Sequence, residues 1–143
     1  MKRTAKPRSR RSRPAGLREL TDLARAARLQ ASAPFSRFKV GAALRTRAGE
    51  VVTGCNIESA SYGLTMCAER VAIFKAVSEG LREFDAIAVV ADSPRPTAPC
   101  GACRQVMWEQ AGDIWVRIVN LHGRTRTVRL SELLPLPFDA RNL

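Results

Sequence analysis

Long apolar runs are missing from this 143-residue sequence: none approaches the roughly 20 residues that a membrane span needs, and the N-terminus lacks the apolar core of a secretory signal. A cytoplasmic protein with no membrane partner is expected. Histidine is nearly absent. The one copy, His122, lies in the turn NLHGRT without a partner motif and is assigned no role. Acidic residues are scarce, 13 against 24 Lys and Arg, which leaves a formal net charge of +11. Such an excess points to nucleic acid when it is spread over a fold. Here seven of the basic residues and no acid fall in residues 1–14, MKRTAKPRSRRSRP, so the remainder holds 17 basic against 13 acidic side chains. The surplus is mostly a tail. Like charges interleaved with Pro and Ser cannot bury a core, so residues 1–14 read as a basic disordered extension, with an electrostatic arm for RNA, DNA or anionic surfaces as the alternative.

From position 15 the pattern is globular, and the length fits one domain over residues 15–143. Leu17, Leu20, Ala24, Ala27 and Ala31 recur at helical spacing and predict a first helix over 15–31, broken by Pro34. KVGAALRT, with Gly41 allowing close backbone packing, and VVTGCNIE predict a hairpin around the turn RAGE. A second helix is expected from Met66 to Glu79, stopped by Gly80, and a third from Cys100 to Gly112. FDAIAVVAD reads as a central strand covered on both faces, IWVRIVN and RTRTVRL as two more strands, and SELL as a short last helix. Strands alternating with helices predict an α/β fold, a three-layer sandwich with one mixed sheet between helices.

Four unevenly spaced cysteines in such a chain suggest metal ligands or buried thiols rather than a disulfide framework. Cys100 and Cys103, after Pro99, form a Cys-x-x-Cys pair that alone fits either a redox site or half of a zinc ribbon. Cys67, in LTMCAERVAIF, adds a third thiol at another helix start. Three thiolates on one tetrahedral ion leave its fourth position open, as at catalytic zinc sites, and helix N-termini favour the thiolate form. Glu69 follows Cys67 by two positions, so inside a regular helix the two side chains would point roughly 200° apart. They can act together only if Cys67 caps the helix and the metal sits off its end. Glu69 then stands beside the bound water as a proton shuttle. Cys55, inside a strand pattern, reads as a buried unreactive thiol.

Cys67-Ala68-Glu69 followed by Pro99-Cys100-Gly101-Ala102-Cys103 resembles the signature of zinc-dependent nucleobase deaminases. The wider text FSRFKVGAAL, GCNIESASYGLTMCAERVAIFKAVSEG, AIAVVAD, PCGACRQV and ELLP is similar to the small, homotetrameric, three-cysteine cytidine deaminases over about residues 15–138. The resemblance implies a five-stranded mixed sheet sandwiched by helices and one Zn2+ per subunit. It implies hydrolytic deamination of cytidine and 2′-deoxycytidine at C4, with Glu69 moving the protons. It also implies that Arg70 hydrogen-bonds the cysteine sulfurs, offsetting the net negative charge of three thiolates on a dication. Asn56 and Glu58 resemble the pair that binds the ribose 3′-hydroxyl, Phe38 the aromatic on the pyrimidine, and the Ala68 backbone a contact to the base edge. Tyr62 and Phe138 resemble residues that reach into a neighbouring subunit's site, which implies a homotetramer. Phe35 is compatible and uninformative, and Arg104 is read as structural. Two alternatives stand beside this reading: deamination of a cytosine-containing antibiotic of the blasticidin type, against which the NIE pair speaks, and a structural zinc or nucleic-acid-binding module, which has no need of Glu69. No specific nucleic-acid partner is expected, because Glu58 would face a phosphate in any polynucleotide.

Overall fold

The structure, a computed structural model, describes residues 12–143, so positions 1–11 of the expected tail lie outside the described residues. Helix α1, Leu17–Arg28, buries Leu17, Leu20, Thr21 and Ala24 along one stripe. It is shorter than the expected 15–31. Gly16, at φ 75°, precedes it, and beyond Arg28 the chain tightens into i to i+3 bonds, Gln30 N–H to Ala27 at 3.0 Å and Ala31 N–H to Arg28 at 3.1 Å. Strands β1 (Val40–Thr46) and β2 (Val51–Cys55) form the expected hairpin. The second strand ends before the expected NIE, because Ile57 pairs with Ser32 and Met66 instead of with β1. Helix α2 spans Ala68–Ser78. Its stop is the expected Gly80, which at φ 83° lets Leu81 N–H reach Ala76 at 2.9 Å and its own N–H reach Val77 at 3.1 Å. Strand β3 (Phe84–Ala91), helix α3 (Gly101–Ala111), strands β4 (Trp115–Asn120) and β5 (Thr125–Arg129) and the short helix α4 (Leu130–Leu133) complete the order.

The five strands lie in the order β2-β1-β3-β4-β5, with β3 and β4 parallel and every other pair antiparallel. This is the mixed sheet expected. Helix α1 covers one face, over Ala43, Ala86, Ala88 and Val90. Helices α2 and α3 cover the other, over Ala42, Leu44, Ile87, Val89, Val116 and Ile118. Strand β3 is buried on both sides, which explains its unbroken apolar run.

Two glycines bring helices unusually close to the sheet. A Cβ on Gly41 would lie 2.0 Å from the Ala24 carbonyl oxygen of α1. On the opposite face, a Cβ on Gly54 would lie 2.5 Å from the Ala68 carbonyl oxygen and 2.6 Å from Ala72 N, at the first turns of α2. Each helix therefore rests its backbone directly on a strand.

Both ends of the described chain are tied down. Arg13 donates to the Thr127 carbonyl at 3.1 Å, and its guanidinium lies 5.9 Å from the Trp115 ring centre, with that of Arg129 at 5.0 Å. At the other end, Gln105 donates to the Phe138 carbonyl at 2.7 Å and Trp108 Nε1–H to Asp139 at 2.9 Å. Among the described residues, no helix is long and apolar enough to cross a membrane.

Candidate active site and metal centre

Cys67 and Cys100 are the N-caps of α2 and α3, both in extended backbone conformation, so each helix begins just past a thiol rather than at it. Both expected helix starts, Met66 and Cys100, move inward for this reason. Cys103 follows in the first turn of α3, buried. The three sulfurs lie within 4.8 Å of one another, and those of Cys67 and Cys100 are 3.9 Å apart. Two sulfurs bound to one tetrahedral zinc at ~2.3 Å each stand roughly 3.8 Å apart, so the Cys67–Cys100 spacing fits that ion. Charge points the same way. A hydrogen bond from Cys103, helped by Arg70, lowers the proton affinity of Cys67, and the same contact raises that of Cys103. The opposed shifts are those of thiols sharing one negative charge. A dication is what allows all three to be thiolates. Cys55, half-buried on β2 rather than fully buried as expected, lies outside this cluster.

Glu69 occupies the first turn of α2 with 5% of its surface exposed. Burial foremost, and the negative charge of Cys67, push its carboxyl up to about 7, against the opposing pull of its own backbone N–H, Arg70 and Cys103. A carboxyl balanced near neutrality can both accept and donate a proton at working pH. Arg70 donates from Nη2 to the Cys67 sulfur at 3.4 Å, and its buried Nε has no hydrogen-bond partner among the described residues. Arg104 instead bonds the Pro99 and Leu133 carbonyls, at 2.7 and 2.8 Å, and ties α3 to α4.

A cavity of about 600 Å³ opens above the thiols, lined by Phe38, Asn56, Glu58, Ala68 and Glu69 among others. Ala68, fully buried as the first residue of α2, lies in its wall. Asn56 and Glu58 share this wall, although neither lies in β2 proper; the pairing of Ile57 keeps the chain extended and preserves their alternation. Asn56, 8% exposed, accepts from Val40 N–H at 2.8 Å and donates to the Phe38 carbonyl at 2.8 Å, so it also secures the segment that carries Phe38. Tyr62 is 78% exposed and borders the cavity of its own chain, edge-on to Phe35 with ring centres 6.1 Å apart. Phe138, 58% exposed, lies on the C-terminal segment and not in this wall. Sequence reasoning missed Ser36, which reaches both Glu58 and Phe38; its only sequence signal was a serine two positions before that phenylalanine.

The family profile described as the cytidine and deoxycytidylate deaminase zinc-binding region matches residues 16–117. A cytidine deaminase of Halalkalibacterium halodurans is 57% identical over 118 residues, covering 82% of this chain and 89% of the relative. A blasticidin-S deaminase of Bacillus cereus is 35% identical over 111 residues, with coverage of 72% and 79%. Among solved structures, a cytidine deaminase of Burkholderia pseudomallei superposes with a TM-score of 0.83 at 52% identity, over 85% of this chain and 98% of that one.

Proposed function

The chain belongs to the zinc-binding cytidine and deoxycytidylate deaminase family, and on that premise we propose that it hydrolyses free cytidine and 2′-deoxycytidine to uridine and 2′-deoxyuridine, releasing ammonia, in cytoplasmic pyrimidine salvage. The observation that carries this reading is the juxtaposition of three convergent thiols with a buried glutamate on the wall of a cavity large enough to take a nucleoside.

Cys67, Cys100 and Cys103 hold the zinc, which when bound supplies the Lewis acidity that makes water nucleophilic near neutral pH. Glu69 accepts the proton that water gives up as it attacks C4 and passes it to ring N3. It then takes the second water proton, as the C4 carbonyl forms, and delivers it to the departing amino nitrogen. Cytidine and water thus become uridine and ammonia, with Glu69 returned to its starting state. Arg70, through its bond to the Cys67 sulfur, draws charge from the thiolates so that they quench the metal less. Phe38 packs on the pyrimidine, the Ala68 backbone meets the base edge, and Asn56 and Glu58 hold the 3′-hydroxyl.

Tyr62 and Phe138, both exposed aromatics on a single chain, are the residues we assign to neighbouring sites in a homotetramer. Residues 15–143 form the catalytic unit, and the preceding basic segment has no part in the chemistry. Ammonia release from cytidine, 2′-deoxycytidine and blasticidin S by zinc-loaded protein tests the assignment. Turnover of both nucleosides is expected. Preference for blasticidin S, or no ammonia from cytidine with zinc in place, overturns it.

A further inference from the structure

Glu58 is heavily engaged before any sugar arrives. Its Oε2 accepts the backbone N–H groups of Phe35 at 3.0 Å and Ser36 at 3.1 Å, and its Oε1 accepts the Ser36 hydroxyl. The oxygen of that hydroxyl accepts Phe38 N–H at 3.0 Å. Because a hydroxyl has one proton to give, the order is fixed: Phe38 N–H donates to Ser36, and Ser36 donates to Glu58. An ionised carboxylate offers about four acceptor positions, two on each oxygen. Three are taken. Oε2 is saturated and Oε1 has one position left. The Ser36 hydroxyl, and then the two backbone donors, also hold this carboxyl below the usual range, so Glu58 offers lone pairs and no proton.

We propose that Ser36 is a positioning residue for sugar recognition: by holding Glu58 Oε1 and occupying one of its acceptor positions it leaves a single directed one for the 3′-hydroxyl donor. The inference rests on the deaminase reading and on Glu58 as the sugar contact. Ser36 acts through its hydroxyl alone. In Ser36→Ala the two backbone amides still hold Oε2, but Oε1 gains a second acceptor position and Phe38 N–H loses its partner. The segment is still secured by Asn56, which bonds Phe38 and Val40 independently. The loss should therefore register in sugar discrimination rather than in folding.

The test compares cytidine with 3′-deoxycytidine in the wild-type zinc enzyme and in Ser36→Ala, Ser36→Thr, Glu58→Ala and the Ser36→Ala/Glu58→Ala double variant. For Ser36→Ala, kcat/KM on cytidine should fall mostly through KM, by up to the roughly ten- to hundredfold that losing the Glu58 hydrogen bond to the 3′-hydroxyl would cost. On 3′-deoxycytidine it should change less than about threefold, the share of Phe38 N–H, a neutral donor, being small. Ser36→Thr, which keeps the hydroxyl, should restore discrimination. Adding Ser36→Ala to Glu58→Ala should cost nothing further on cytidine. An equal fall on both substrates, or a full additional loss in the Glu58→Ala background, overturns the proposal. Wild-type enzyme that processes both nucleosides equally overturns it too, by removing the sugar contact of Glu58, whereas wild-type enzyme inert toward both removes the deaminase reading itself.

Discussion

Replacing Gly54 by alanine should damage the site although Gly54 does not itself line it. The new Cβ would sit 2.5 Å from the Ala68 carbonyl oxygen and 2.6 Å from Ala72 N. Ordinary contact begins near 3.4 Å, so α2 must retreat by about 0.9 Å where it crosses β2. Both colliding atoms belong to main chain, so no side-chain rotation relieves the clash. Ala68 is flanked by Cys67 and Glu69, and the displacement reaches both, while Cys100 and Cys103 stay with α3. Overpacking of this kind costs about 1–3 kcal/mol in stability. Misplacing a catalytic group by about 1 Å costs on the order of 10²-fold in rate. Gly41→Ala is the control. It presses even harder on α1, which carries no site residue, from the other face of the sheet. Thermal unfolding, zinc content and kcat/KM on cytidine should show both variants destabilised, with zinc and activity lost disproportionately in Gly54→Ala. A folded Gly54→Ala enzyme with full zinc and wild-type turnover would refute the coupling between this contact and the site.

Cys55→Ala should keep one zinc per chain by elemental analysis, whereas alanine at Cys67, Cys100 or Cys103 should lose it. Glu69→Gln should retain zinc while turnover drops by at least 10² to 10⁴, as expected for loss of a general acid-base group. In metal-free protein the same variant has a stability signature with a definite sign. Burial raises the Glu69 carboxyl from 4.5 to about 7, so the wild-type residue destabilises the fold increasingly as pH climbs through that window. Denaturation should therefore find Glu69→Gln more stable above pH ~7, by up to about 3 kcal/mol, with no difference below pH ~4.5. Light scattering should show a tetramer, and Phe138→Ala should lower activity although that chain's own thiols and Glu69 are intact; a fully active monomer would refute the shared site. Deleting residues 1–11 should leave cytidine kinetics unchanged and confer no deamination of a cytosine-containing single strand.

The thiols were readable in the sequence because each sits in a local motif, Cys67 and Cys100 each preceding a helix, and their convergence across 33 residues followed from the family resemblance of those motifs. The sheet was readable for a similar reason, since β3 needs burial on both faces and its composition states it. What escaped notice depends on contacts across the chain. The strand expected to include Asn56 stops at Cys55 because Ile57 finds Ser32 and Met66, neither of which is a hairpin neighbour. The anchoring of Phe38 by Asn56, and the bond from Ser36 to Glu58, join segments about 20 residues apart that carry no mutual pattern. Arg13 read as one more charge in a solvated tail, and its place over Trp115 follows from where β4 and β5 end up.

The two tryptophans give the molecule a pair of built-in optical reporters, one for each terminus. Trp108 donates its indole N–H to Asp139 in the C-terminal segment, whereas Trp115 lies beneath the guanidinium groups of Arg13 and Arg129. Single Trp→Phe variants would separate their emission. Trimming the chain through residue 14 should then alter the spectrum of Trp115 alone, and removing residues 137–143 that of Trp108 alone, so that release of either end can be followed in intact protein without a label.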